Sequence, residues 1–381
     1  MRTALAALVA VALGALGGCG SGAPPVPGVG ELREVARSPD RLWTGVAVSP
    51  QGRVFVCYPR WIGPHAASVE ERYPGGRARP YPAREPNLWR PGVLMPQPFD
   101  AWVCVQSVRC DGRYLYVLDS GNPGFGGVVP DGCKLARLSL SDDRMAGVWH
   151  LGPDVAPARA YLNDVRVAPD GKTAYLTDSG LGALVVLDLE TGVGRRVLSK
   201  HASVLAEPDV TLRVEGRELR WPAPAGEAPV PMRIHADGLT LDPTGAWLYW
   251  QVLSGRTLWR APTAVLRDPA RTPEEVAASV ERVATTVAAD GLEMGADGTI
   301  YFAAIEQGAI VARRPDGTMV TLVTDPRLAW PDSLALSPRG TLYVTASQIH
   351  RTPLVHGPMA MPTSPFLLLE TGALPPAPPA R

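Results

Sequence analysis

An excess of charge of either sign is what this sequence lacks. Its 37 Lys and Arg residues face 37 Asp and Glu residues, a formal net charge of +0, and charged side chains make up only 19% of the chain. Without a clustered basic surface, a nucleic-acid partner is excluded. Histidine is scarce: the six at positions 65, 150, 201, 235, 350 and 356 show no metal-ligand spacing. No nucleophile-elbow motif is present. The glycine-rich run Gly121–Gly127 has no lysine at the required place and no helix signal after it, so it is not a phosphate-binding loop. The longest early apolar run, Ala4 to Leu16, is too short to cross a bilayer comfortably. What remains is a chain of 381 residues, 46% apolar, long enough for a large core.

Against this background a repeat stands out. A short phrase opened by a polar residue recurs six times: Thr44-Gly45-Val46, Gln106-Ser107-Val108, Asn163-Asp164-Val165, Asp237-Gly238-Leu239, Asp290-Gly291-Leu292 and Asp332-Ser333-Leu334. After each copy comes a glycine turn (Gly52, Gly112, Gly171, Gly245, Gly298, Gly340), then an apolar run centred on Phe55, Tyr116, Tyr175, Tyr249, Tyr301 or Tyr343. Strand, tight turn and strand, repeated at tens of residues, predict propeller blades. The fold class is therefore all-β, a six-bladed β-propeller. The opening positions lie 62, 57, 74, 53 and 42 residues apart, room for three or four strands each. A strand beginning near Leu32 is expected to complete the last blade together with Phe366–Leu369, closing the ring. Expected boundaries are 1–18 for a signal peptide, 19–31 for a tether, 32–370 for the propeller and 371–381 for a disordered tail. Glu207 to Val230 reads as a flap over one rim.

Met1-Arg2, the apolar run and Leu16-Gly17-Gly18-Cys19 resemble a bacterial lipoprotein signal, with Cys19 as the lipidated residue. An exported protein held by Cys19 to a membrane, facing the periplasm or the cell exterior, is the expectation. Export means an oxidising compartment for the other four cysteines. A Cys110–Cys133 bridge would staple the loop 119–132 onto its own blade and leave Cys57 with Cys104 across neighbouring blades. The opposite pairing and four free buried thiols are the other arrangements the count allows.

Antiparallel pairing puts the start of each first strand and the end of each second strand on one rim. Thr44, Gln106, Asn163, Asp237, Asp290 and Asp332 should therefore converge, with Asp178 and Trp61 beside them. Three carboxylates held close call for a cation or a proton. Oxygen donors without cysteine or histidine suit calcium or magnesium, with Asn163, Asp237 and Asp290 as the candidate ligands. An organic ammonium ion is the other natural guest, with walls from Trp43, Tyr58 or Trp61. The plainer reading is that these side chains bond to neighbouring blades around ordered water. As a catalyst, Asp237 or Asp290 would be the general base. His235 is placed to shuttle a proton, or else faces solvent. The aromatic column reads as packing between blades.

Several phrases resemble the major royal jelly protein and insect yellow protein family. They are Thr44-Gly-Val-Ala-Val-Ser-Pro-Gln-Gly-Arg-Val-Phe-Val with Pro59-Arg60-Trp61, Tyr116-Val-Leu-Asp-Ser-Gly121, Leu162-Asn-Asp-Val-Arg166, Tyr175-Leu-Thr-Asp-Ser-Gly180 and Trp330-Pro-Asp-Ser-Leu334. The likeness covers about Leu32 to Leu369, and bacterial members are commonly labelled dopachrome-tautomerase-related. It implies a six-bladed propeller, an extracytoplasmic setting and a Cys110–Cys133 bridge. Some members bind biogenic amines in the central channel and some insect relatives convert dopachrome, which implies a small amine- or catechol-like ligand or a tautomerase activity. A more distant likeness, carried by Asn163, Asp237 and Asp290, is to the gluconolactonase and regucalcin propellers. It implies a divalent metal and a lactonase activity, although Thr44 stands where their first-blade glutamate falls. A scaffold with a protein-facing rim is a third class of function.

Overall fold

Six four-stranded antiparallel sheets stand around one axis in the computed structural model, which describes residues 25–63, 65–223, 226–356 and 363–376. Blade one comprises Gly45–Val48, Val54–Cys57, Val69–Arg72 and Ala78–Pro80; blade two, Val105–Cys110, Tyr114–Asp119, Lys134–Ser139 and Met145–His150. Blade three comprises Leu162–Val167, Thr173–Asp178, Ala183–Asp188 and Gly194–Val197; blade four, Ala236–Leu241, Trp247–Val252, Thr257–Pro262 and Glu281–Thr285. Blade five comprises Ala289–Met294, Ile300–Ala304, Ala309–Arg313 and Met319–Thr324. Blade six takes Pro331–Leu336, Thr341–Ala346 and Phe366–Gly372 from the end of the chain and Arg33–Ser38 from its beginning.

The repeat phrase explains the inner strands. Its third residue is apolar and faces the core: Val165 and Leu239 are fully buried. Where its second residue is glycine, as in blades four and five, the neighbouring inner strand approaches too closely for a side chain. A Cβ on Gly238 would stand 2.2 Å from the Asp290 carbonyl oxygen, and one on Gly291 would stand 2.4 Å from that of Asp332. Each turn then needs a residue that tolerates positive φ, such as Gly171 at φ 70°. In blades two to six a register shift follows the start of the first strand, for example between Leu162 and Val165. This bulge turns the opening residue toward the axis.

Apolar faces meet between blades. Leu118 and Leu135 of blade two pack against Val165, Leu176 and Val185 of blade three. Each such side chain, fully buried, stabilises the fold by about 1.5–3 kcal/mol. The aromatic column has a defined partner, because Phe55, Tyr116, Tyr175, Tyr249, Tyr301 and Tyr343 pair across from Ala47, Arg109, Arg166, Thr240, Glu293 and Ala335. Each aromatic thus stands beside the residue three places after a repeat opener.

Ring closure runs from Arg33↔Glu370 to Ser38↔Phe366. Two boundaries differ from expectation. The last strand continues to Gly372, which pairs with Thr341 and bridges Val29, so residues 371–372 belong to the sheet. Beyond it, the Leu374 N–H donates to Tyr301 Oη at 3.1 Å. Part of the expected tether is also fixed, since the Glu31 carboxylate takes the Gly28 N–H and the Arg33 guanidinium. The signal segment and Cys19 lie outside the described residues.

Neither disulfide forms; Cys57, Cys104, Cys110 and Cys133 are free thiols. Cys110 pairs with Leu115 near the turn end of blade two, whereas Cys133 precedes Lys134, which pairs with Asp119 at the opposite end. A strand length separates them, at about 3.3 Å per residue, and a disulfide needs Cα atoms within about 7 Å. Cys57 and Cys104 are neighbours, but Cys57 Sγ donates to the Gln106 carbonyl at 3.3 Å instead.

Candidate functional site

Inside the ring the opening residues of blades two to six form a collar. Gln106, Asn163, Asp237, Asp290 and Asp332 line one cavity of about 650 Å³, together with Trp61. Two expected members are elsewhere. Thr44 is fully buried, and its hydroxyl donates to the Gln106 carbonyl at 2.8 Å, tying blade one to blade two. Blade one has no bulge, so Thr44 keeps to the seam between blades. Asp178 is also buried: its Oδ1 accepts the N–H groups of Tyr161 and Gly180 at 2.8 and 3.0 Å, and its Oδ2 takes Arg196 at 2.6 Å. Asp119 does the same in blade two, accepting from Val103 and Cys104. The Asp-Ser-Gly phrases are thus corner fastenings. The serine, by contrast, reaches the collar, as Ser179 shows.

A directed hydrogen-bond chain crosses the collar from mouth to floor. Trp61 Nε1 donates to Tyr161 Oη at 2.6 Å, and that hydroxyl donates to Gln106 Oε1 at 2.7 Å. Gln106 Nε2 donates to Asn163 Oδ1 at 3.1 Å, and Asn163 Nδ2 donates to Ser179 Oγ at 2.7 Å. The Ser179 hydroxyl faces Asp237 Oδ2 at 3.3 Å and the Ala236 carbonyl at 3.0 Å. On the other side Trp330 Nε1 donates to Asp290 Oδ2 at 2.6 Å, and Ser347 Oγ donates to Asp332 Oδ2 at 3.1 Å.

The three carboxyl groups have no cationic partner among the described residues. Burial, together with the Asp290 charge, raises Asp237 and Asp332 well above the usual carboxylate range. Burial also pushes Asp290 up to about 6, opposed by the bonds from Trp330 and Asp237. Asp237 and Asp290 therefore titrate as an interacting pair, with Asp237 holding its proton the more strongly.

Asn163, Asp237 and Asp290, the expected metal ligands, line the same cavity, and two of their oxygens already accept hydrogen bonds. Asn163 Oδ1 is taken by Gln106 and Asp290 Oδ2 by Trp330. Among the described residues no group of three or more His, Cys, Asp or Glu side chains has metal-holding geometry.

The walls are aromatic, and mostly not the residues expected. Trp43 and Tyr58 are core residues: Trp43 Nε1 donates to the Leu367 carbonyl, and Tyr58 Oη donates to Glu70. Trp61 instead stacks on Phe125 at 5.3 Å, and Phe125 on Tyr161 at 4.7 Å, with Trp221 edge-on to Phe125 at 6.4 Å. Trp330 forms the facing wall. Phe125 and Trp330 have φ of 58° and 56°, a backbone region bulky residues avoid and one that clusters at binding sites. The sequence signal for them was positional: Phe125 lies in the long loop after an Asp-Ser-Gly corner, and Trp330 stands two places before a repeat opener.

The segment between blades three and four does form the flap. Its hairpins, Arg213–Val214 with Arg217–Glu218 and Arg220–Trp221 with Val230–Pro231, bring Trp221 over the cavity. Glu215 fastens it to His350 and Arg351 on blade six. Half-buried His235 accepts the Ala206 N–H at 3.0 Å and so anchors the flap rather than facing solvent.

Beneath the collar the axis is plugged. Arg109 pairs with Glu293 through both nitrogens of its fork, and Arg166 holds both Asp164 oxygens at 2.9 Å. Arg166 and Glu293 are almost fully buried. The cavity above is therefore a blind pocket and not a channel.

A six-bladed β-propeller with an acid-floored, aromatic-walled pocket on its axis is the class these observations define. The major royal jelly protein family model matches residues 104–356, and the chain belongs to that family. Among curated proteins none matches the sequence. Among solved structures, the calcium-binding protein regucalcin from Agrobacterium tumefaciens is similar at TM-score 0.52 and 13% identity, covering 89% of this chain and 94% of that one. A gluconolactonase from Xanthomonas campestris is similar at TM-score 0.51 and 12% identity, covering 92% and 95%. At such identities the likeness is one of fold.

Proposed function

We propose that this protein binds a small organic ammonium ion with an aromatic or catechol-like body, held in the axial pocket. One observation carries the reading: three buried carboxyl groups without a cation lie at the floor of a cavity whose walls are stacked aromatic rings. An ammonium group against Asp237, Asp290 and Asp332 would take the place of a proton on this acidic floor. Trp61, Phe125 and Trp330 would cover the ring and attract the cation through their faces. Gln106 and Asn163, midway along the hydrogen-bond chain, would accept from or donate to ring hydroxyls. The directed bonds from Ser179, Trp330 and Ser347 favour the charged carboxylates and so prepare the floor for a cation.

Thermal shift tests this with phenethylammonium against its neutral isostere, phenethyl alcohol. A ligand specific to the native state must raise the midpoint. The amine is expected to do so and the alcohol to have little effect; equal effects would refute a charge-reading floor.

A second reading is favoured by the raised proton affinity of Asp237 and Asp290. Two carboxyls with raised affinity for protons are the equipment of a general acid and base. In that reading the pocket turns over a tautomerisable catechol derivative or a lactone, and Asp237→Asn abolishes turnover.

The lipoprotein-like Leu16-Gly17-Gly18-Cys19 supports export and anchoring of the propeller to a membrane through Cys19. Cys19→Ala should then release the protein into the soluble fraction.

A further inference from the structure

The far end of the axis, below the plug, opens into a different cavity of about 570 Å³. Its chemistry is the reverse of the upper pocket. Arg109, Arg113, Arg137 and Arg166 line it, against Asp111, Asp170 and Glu293. We propose that this lower mouth is a second binding site, specific for a small oxyanion such as a phosphate, sulfate or carboxylate group.

The acceptors around this cavity are already occupied, whereas several donors are not. Glu293 is held by Arg109. Asp111 Oδ1 accepts the backbone N–H groups of Arg113 and Tyr114 at 2.9 and 2.8 Å. Asp170 Oδ1 takes the Lys172 N–H at 3.0 Å, and its Oδ2 lies 3.5 Å from Arg267. Arg113 and Arg137, in contrast, form no ion pair with a carboxylate among the described residues. Both sit on the Tyr114 ring, with guanidinium carbons 5.5 and 4.7 Å from its centroid, and Arg137 also lies 5.2 Å from that of Trp149. Two cations thus share one aromatic ring without an anion to neutralise them.

Two buried donors lie behind them. The Tyr116 hydroxyl stands beside Arg137 and Asp111 and makes no hydrogen bond of normal geometry among the described residues. Arg166 is almost fully buried, and its Nε is likewise unpartnered. An oxyanion bridging Tyr116, Arg137 and Arg113 would give the hydroxyl a well-placed acceptor and the two guanidiniums an anion. The rings of Tyr114 and Trp149 flank the Arg137 guanidinium at the cavity, which lowers the entropic cost of fixing its fork on a ligand. The plug keeps the two sites chemically apart: carboxylates above collect cations, and unpaired guanidiniums below collect anions.

The probe is inorganic phosphate, titrated into the whole protein by calorimetry and thermal shift, with sodium chloride at matched ionic strength as control. Phosphate is expected to raise the unfolding midpoint beyond chloride and to compete with sulfate. The Arg113→Gln/Arg137→Gln variant, altered only at solvent-accessible guanidiniums, should bind phosphate at least tenfold more weakly. Its phenethylammonium response should be unchanged, so that failure here is distinguishable from failure of the upper-pocket reading. No phosphate effect beyond chloride in the unaltered protein would overturn the proposal, as would phosphate affinity undiminished in the variant.

Discussion

Trp330 Nε1 donates to Asp290 Oδ2 at 2.6 Å, which joins one wall of the axial pocket to its floor. The same indole that would cover a bound ring also stabilises the charge that would bind its ammonium group. Trp330→Phe keeps the ring and removes the donor. Because that bond holds the Asp290 carboxyl down, its loss should move the Asp290 titration above about 6. Amine affinity measured against pH should then show its midpoint displaced upward, with affinity at pH 8 reduced about tenfold, the worth of roughly one charge-assisted hydrogen bond.

Asp237→Asn should trade function for stability. A carboxyl whose folded pKa lies above its unfolded value binds protons more tightly in the native state. Its favourable contribution is complete below about pH 4 and is lost as pH rises through the folded pKa. At neutral pH the acidic floor therefore destabilises the empty protein, and the amide should recover about 1–3 kcal/mol while abolishing amine binding. Urea unfolding at pH 4.5 and 7.5 checks this, since the advantage of the variant should grow with pH.

Removing a corner fastening should have the opposite profile. Asp178→Ala leaves Arg196 without its carboxylate and the buried Tyr161 N–H and half-buried Gly180 N–H without an acceptor. The expected loss is about 3–5 kcal/mol by denaturant unfolding. Amine affinity of the protein that remains folded should change little, because Asp178 does not line the pocket.

Gly238→Ala tests the spacing of the inner strands. The added methyl would stand 2.2 Å from the Asp290 carbonyl oxygen, so one strand must move. Destabilisation of about 1–3 kcal/mol is expected. Amine binding should weaken as well, since the displaced segment carries Asp290.

The thiols should be inert in the native state. Burial pushes Cys57, Cys104 and Cys110 up to about 12, and Cys133 is fully buried as well. A thiol reagent should modify none of the four rapidly, with half-exposed Cys110 reacting first. All four should react after unfolding.

The blade count, the convergence of Asp237, Asp290 and Asp332 and the closure by the first and last strands were readable because each follows from a repeated local rule. A polar opener and an apolar third residue recur in every blade, and the second residue is small in all but blade three, where it is Asp164. The same rule concealed a second ring. Arg109, Arg166 and Glu293 stand three places after their openers, and only the pairing with the aromatic column shows that they plug the axis. Features outside the repeat were not readable. Phe125 and Trp221 reach the pocket from a loop and a flap whose paths no periodicity dictates. Asp178 was misplaced because antiparallel pairing gives the rim but not the direction of the side chain. The Cys110–Cys133 bridge failed for the converse reason: nearness in sequence to one blade says nothing about which end of it.

Proton release on binding tests the account most directly. Phenethylammonium is titrated near pH 6 by calorimetry in buffers of differing ionisation enthalpy, which yields the protons exchanged per ligand. An ammonium ion seated against Asp237 and Asp290 favours their charged forms and should release a substantial fraction of one proton, and the release should fall sharply in Asp237→Asn. Binding of the amine with no proton exchanged at pH 6 would contradict the acidic floor as its seat.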